Sequence, residues 1–256
     1  MRKILILAIG VLALAITAVA LAATNTYRVS ASTSPTSAGT TKKPVPVAVK
    51  FSYQIGEVNN QRPAAVKQYK INFSGLQVNT SPFKACTAQR INSEGGDTNC
   101  PSAAKMGSGN IQATVGPDND PSNQKLTCYL ALTFYNSGRN HAALYLKGDP
   151  SASDPSKTCI TGISQAIDAS FIRNSKGTTL QFTVPPELIH PVNGLTVAVR
   201  SVTSSILRKT ATVKHKKVGF FQSVGGCRKN KRAVTVTFTP ESGPSGRAQA
   251  FAKCKK

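Results

Sequence analysis

From residue 48 onward, apolar and polar side chains alternate with a period of two. Tyr69, Ile71 and Phe73 are separated by Lys70 and Asn72, and Leu180, Phe182 and Val184 by Gln181 and Thr183. Leu195, Val197 and Val199 alternate with Thr196 and Ala198, and Val234, Val236 and Phe238 with Thr235 and Thr237. Successive side chains of a strand point to opposite faces, so each run predicts a strand with one face on a core and one in water. Thr127–Tyr135 is apolar on both faces and reads as a central strand. Further strands are expected near 48–55, 109–115, 141–147, 163–172 and 210–221.

Turn residues separate these runs. They include Gly116-Pro117-Asp118, Asn136-Ser137-Gly138, Gly148-Asp149-Pro150 and Pro185-Pro186. Asn174-Ser175-Lys176-Gly177 is expected to close a hairpin. No long segment has helical spacing with caps. The fold class that follows is all-β: an antiparallel β-sandwich or jelly roll, stabilised by disulfides. Trp is absent, so Phe, Leu, Val and Ile must supply the core.

The start of the chain breaks this pattern. Arg2 and Lys3 lead into an unbroken apolar run from Ile4 to Ala23, the layout of an export signal. Ala20-Leu21-Ala22 has the small-x-small form that precedes a cleavage point. The same run is long enough to remain as a membrane-spanning helix. Both readings place the remainder outside the cytoplasm, secreted or associated with the cell envelope. Membrane contact is expected only through residues 4–23, if they are retained. Residues 24–47 are rich in Ser, Thr and Pro, without apolar residues at regular spacing, and predict a disordered spacer. The expected plan is 1–23 signal or anchor, 24–47 spacer and 48–256 a single all-β domain.

An exported chain changes the meaning of its cysteines. Six of them suggest three disulfides. Locality joins Cys86 to Cys100 across a polar loop and Cys227 to Cys254 across a hairpin, leaving Cys128 with Cys159. There is no C-x-x-C and no closely spaced His/Cys set, so neither a metal nor a cofactor is expected. Cys86, Cys100-Pro101, Lys105-x-Gly107-x-Gly109 and the late cysteine pair resemble a group of secreted β-rich proteins of high-GC Gram-positive bacteria. The resemblance extends over most of the chain after residue 48 and implies a bacterial cell-envelope setting. The group has no established activity, so the resemblance implies no catalytic residues.

Charge carries the main functional hint. The formal net charge is +22, and from Arg200 to the end there are 14 Lys/Arg against one acid, Glu241. Lys214, Lys216 and Lys217 fall in the strand expected over 210–221, with Lys214 and Lys216 on one face. Arg228, Lys229, Lys231 and Arg232 sit in the turn after Cys227. Such a positive patch attracts polyanions with strong salt dependence. Outside a bacterium these are teichoic-type wall polymers, phospholipid headgroups or shed nucleic acid. Aromatics do not interleave with the basic residues as stacking platforms would, which argues against nucleic acid. The competing reading is that the charge only keeps the protein soluble and its strand edges apart.

Catalytic signals are poor. G-x-S-x-G, H-E-x-x-H and the P-loop are all missing, and His141, His190 and His215 are dispersed. Asp118-Asn119-Asp120 places oxygens at alternate positions as calcium loops do, and Asp149 and Asp154 are possible companions in sequence. It lacks the Gly and distal Glu of an EF-hand, so an Asx-rich turn is the simpler reading. The expected function is non-enzymatic: an envelope structural or binding protein for anionic polymers or glycans. The alternative is a secreted glycoside-type hydrolase with a carboxylate site, drawing on Glu57, Glu94, Glu187 and Glu241.

Overall fold

Eleven strands join one antiparallel sheet. Their spatial order is β1 (Asn25–Ser34), β3 (Ala48–Glu57), β11 (Leu195–Ile206), β6 (Lys105–Pro117), β7 (Leu126–Gly138), β8 (His141–Gly148), β9 (Ile163–Asn174), β10 (Gly177–Thr183), β4 (Val66–Ser74), β15 (Lys231–Pro240) and β16 (Gly246–Lys253). Short strands β2 (Val45–Pro46), β5 (Leu76–Val78) and β14 (Phe221–Ser223) form a second sheet, and β12 (Thr210–Val213) with β13 (Lys216–Gly219) a third. The computed structural model describes residues 24–148, 151, 158–159 and 162–255. The apolar run Ile4–Ala23 and the residues Asp149, Pro150 and Asp154 lie outside them.

The long sheet rolls up until its edges meet. An odd row of antiparallel strands leaves its first and last members pointing the same way. Accordingly Ser37, just past β1, makes a parallel bridge to Lys255, just past β16. Ala38 N–H donates to Lys255 O at 2.7 Å, and Lys255 N–H to Thr36 O at 2.7 Å. The Tyr27 ring stacks on Phe238 at 4.2 Å between centroids and occupies the space that a side chain at position 246 would need, so only Gly246 fits there. Each edge covers the other, which removes two templates for aggregation.

The spacer expected over 24–47 is therefore corrected. Residues 25–34 form β1, paired with β3 along ten residues. Tyr27, Val29 and Ala31 do alternate with polar residues, but they are only half-buried, so the hydrophobic signal is faint. Backbone pairing to β3 holds most of the strand, with burial limited to Thr33 and the face of Tyr27 stacked on Phe238.

Inside the rolled sheet lies the core the alternation predicts: Val49, Phe51, Tyr53 and Ile55 from β3, Tyr69, Ile71 and Phe73 from β4, Val234, Val236 and Phe238 from β15. Phe220 and Phe221, adjacent in sequence, are both buried. On the outer face of β7–β9 a smaller core gathers Ile91, Ala104, Tyr135, Ala143, Tyr145 and Ala166. It packs the six-residue helix α1 (Ala88–Ser93), capped by Thr87, whose side chain accepts from Arg90 N–H at 3.1 Å. The expectation that Thr127–Tyr135 is buried on both faces is corrected: the outer core reaches this strand only at Tyr135, while Tyr129 and Ala131 on the same face stay half-exposed. The cysteines pair as 86–100, 128–159 and 227–254, and none among the described residues is free. Three such bridges fit an oxidising, extracytoplasmic setting. Among the described residues no helix is long and apolar enough to cross a membrane.

Candidate polyanion-binding groove

One end of the barrel collects tight turns that carry basic residues. Arg139-Asn140 connects β7 to β8, Lys214-His215 connects β12 to β13, and Lys229-Asn230 precedes β15. All six residues have positive φ, between 47° and 64°. Two consecutive left-handed residues make the turn whose twist matches flanking strands, a geometry that favours Asn and Gly. Placing a basic side chain at its first position costs some strain and projects the charge from a rigid tip. The turn at 229–230 is closed by reciprocal bonds, Arg228 N–H to Lys231 O at 2.9 Å and Lys231 N–H to Arg228 O at 3.0 Å.

Arg228, Lys229 and Lys231 line a groove of about 890 Å³. Arg173 at the end of β9 and Lys176 within the β9–β10 turn line it too. All five cations are exposed, and no carboxylate lines the groove. Ser74, Gln77 and Asn174 add hydrogen-bonding groups, and Arg173 Nη2 donates to Gln77 Oε1 at 2.9 Å. Phe251 of β16 is 57% exposed, with Lys231 Nζ 5.9 Å above its ring. Gly75, Gly177 and Gly226 form the groove floor, where a Cβ would strike backbone. A five-cation groove that lacks an internal counterion attracts anions strongly, and its flat aromatic edge suits a sugar ring or a base.

The expected cluster is thus partly assembled and partly redrawn. Arg228, Lys229 and Lys231 come together as anticipated. Lys214, Lys216 and Lys217 do not sit in a continuous strand over 210–221. The chain reverses at Lys214-His215, so Lys214 and Lys216 belong to a hairpin tip and its return strand. That hairpin flanks a neighbouring hollow of about 400 Å³ through Val213 and Val218, and the hollow shares Gln77 and Arg173 with the groove. All three lysines are exposed.

Arg232 is a correction. It is fully buried, and its guanidinium faces inward. Nη2 donates to Ser223 Oγ and to Gly225 O at 3.1 Å, and Nη1 to Thr33 Oγ1 at 3.4 Å. Ser223 Oγ in turn donates to Ala38 O. Nε finds no partner among the described residues. Burial pushes the guanidinium pKa down, but it remains a cation at neutral pH. Period two decides this outcome: Lys231 and Ala233 face outward, so Arg232 and Val234 face inward. Arg232 ties β1, β14 and β15 together and has no surface to offer a ligand.

The acids gather elsewhere. At the opposite end His190 follows the four-residue helix α2 (Pro186–Ile189), with Nε2 2.9 Å from Glu241 Oε2 and Nδ1 3.9 Å from Asp118 Oδ1. Glu57 is spent on its own loop, accepting from Asn59 N–H at 2.6 Å and Gln61 N–H at 3.2 Å. Glu94 pairs with Arg90, and Glu187 accepts from Gln165. Asp120 accepts from the Ser122 side chain at 2.5 Å, and that bond chiefly holds its pKa down. The barrel interior and both hollows have no carboxylate in their linings. Arg173, Lys176 and Phe251 were not singled out from sequence. The β9–β10 hairpin is legible there, but which barrel end it reaches is not. Comparison with protein families, curated proteins and solved structures finds no match for this chain.

Proposed function

We propose that this protein is an exported, non-enzymatic component of the cell envelope that binds anionic envelope polymers or glycans. The observation that supports this reading is the groove lined by Arg173, Lys176, Arg228, Lys229 and Lys231, without a carboxylate and with Phe251 at its edge. Repeating phosphate or carboxylate groups along a flexible polymer would engage several of these cations at once. The aromatic face would accept the sugar between them. The Cys227–Cys254 bridge holds the turn that carries Arg228 and Lys229 against the last strand, beside Phe251.

The test is retention on immobilised poly(glycerol phosphate), for the parent protein and for a variant with Arg173, Arg228 and Lys229 replaced by Ser. The parent should bind at low salt and elute as the screening length shortens from about 10 Å at 0.1 M to about 3 Å at 1 M. The variant should elute much earlier with its melting temperature lowered by no more than a few degrees, because exposed substitutions usually change stability by less than about 0.5 kcal/mol each. Equal elution of the two proteins would reduce the patch to a solubility device. Single-stranded nucleic acid serves as the competitor: if it displaces the polymer at lower concentration than the polymer itself, the glycan reading gives way.

A further inference from the structure

The barrel interior is not filled. A cavity of about 110 Å³ lies between its inward faces, and its lining is hydrocarbon or aromatic except for Ser204 and the hydroxyls of Tyr53 and Tyr69. At the groove end it is sealed by Phe220 and Phe221, which pack edge-on against Phe73, Phe134 and Phe171. At the other end the lining changes character. Ile163, Phe182, Val184, Leu188, Val197 and Val199 are only half-buried and form an apolar rim around an opening beside α2.

A second feature lies near that opening. Tyr69 is paired across the sheet with Phe182 of the rim, and the two rings stack with centroids 5.0 Å apart. The Tyr69 hydroxyl is buried, with Tyr53 as its polar neighbour, yet it makes no hydrogen bond of acceptable geometry among the described residues. A buried hydroxyl left unpaired is costly, and native interiors rarely leave one so. An apolar cavity of this kind stays dry and takes up small hydrocarbon ligands.

We propose that the barrel binds the end of a neutral alkyl chain bearing one hydrogen-bonding oxygen. The chain enters past Leu188 and Val197, the tail lies between the inward faces, and the oxygen meets Tyr69 near the rim. The volume sets the length. A methylene group needs roughly the 30 Å³ of a water molecule, so about four carbons fit inside. The site is too small for a whole drug-sized ligand, which calls for roughly 300 Å³ or more. It holds a chain end whose remainder stays outside the rim.

The experiment is a titration of the intact protein with n-alkanols from ethanol to octanol, read from the methyl NMR signals of Leu, Ile and Val. Saturable shifts should appear at Leu188 and Val197. Affinity should tighten about fourfold per methylene, the equivalent of about 0.8 kcal/mol, and level off after about four carbons. Ala113→Leu, which places a larger side chain in the cavity, should lose at least tenfold in butanol affinity. If that variant does not fold, Val199→Phe at the rim should have the same effect. Tyr69→Phe should weaken every alcohol by a similar factor, about two- to tenfold. Absence of saturable shifts, affinity that rises steadily through octanol, or a filled variant that binds like the parent would each overturn the proposal. Retention on the anionic polymer should be unaffected throughout, since the groove lies at the other end.

Discussion

The two ends of the barrel are closed by different means. At the groove end, β2, β5 and β14 lie across the opening, Phe220 and Phe221 seal it, Arg232 ties three strands, and the Cys227–Cys254 bridge staples the last strand. At the rim end no sheet of the described residues lies across the opening: the four-residue helix α2 stands beside it, and His190 just past that helix meets Glu241 and Asp118 through exposed contacts. The Cys128–Cys159 bridge ties β7 to the segment before β9, and the buried Arg62 donates to Pro117 O and to Asn123 O, the latter at 3.3 Å. The difference teaches how charge can be concentrated without loss of order. Exposed like charges repel, and a closure made of covalent and buried contacts tolerates that repulsion. The rim end has its own bridge and buried arginine but, among the described residues, no strands or paired phenylalanines across it, so its apolar interior stays open to solvent there.

The harshest way to break the comparison is to remove what both ends share. Deleting residues 25–34 takes away β1, uncovers the ten-residue flank of β3 and exposes Phe238. The expected outcome is loss of the cooperative thermal transition, checked by circular dichroism and calorimetry; a normal transition would mean that the seam closes without β1. Next comes a contrast between neighbours. Arg232→Ala leaves a cavity and unpaired groups at Ser223 and Gly225, and should cost about 3 kcal/mol. For a protein of this size that corresponds to a fall of about 6–12 °C in Tm. Lys231→Ala, one residue away, should change stability by less than about 0.5 kcal/mol.

A milder probe is alkaline pH. Burial raises the phenol pKa values of Tyr53 and Tyr69 above the usual 10.0, so the folded state keeps protons that the unfolded chain releases. Their contribution is fully present below about pH 10 and is lost as pH rises above it. Urea midpoints measured from pH 8 to 11 should fall less steeply in the Tyr53→Phe/Tyr69→Phe variant than in the parent. The smallest effect should come from His190→Ala, which removes only exposed contacts: at most about 1 kcal/mol, leaving retention on the anionic polymer unchanged.

Much of this architecture is legible in the chain because most strands bury one face strongly. Tyr69, Ile71 and Phe73, or Val234, Val236 and Phe238, announce themselves at period two. Disulfide pairing follows from locality. What escapes notice depends on distant partners. β1 has weak alternation and is recruited by a ten-residue ladder to β3. The stretch 210–221 reads as one strand, because neither Lys214 nor His215 advertises a turn; the reversal is imposed by the pairing of Val213 with Lys216. Arg232 looks like one more surface charge in a basic run, and only its parity with Val234 shows otherwise. The groove needs Arg173 and Lys231, 58 residues apart in the chain, to arrive at one end, and no local pattern encodes that.

The position of β1 also gives the molecule a direction. Asn25, its first residue, sits at the rim end, where its side-chain amide donates to Ala64 O and accepts from Ala64 N–H, both at 2.8 Å. Because β1 begins so close behind Ala23, there is no long stalk between it and the apolar run that precedes it. Were that run to stay in a bilayer, the barrel would stand on the lipid surface with its opening downward and its basic turns outermost, about one strand length, roughly 33 Å, above. Such a posture would present hydrocarbon chains to one end and wall polymers to the other, as a bracket between two layers.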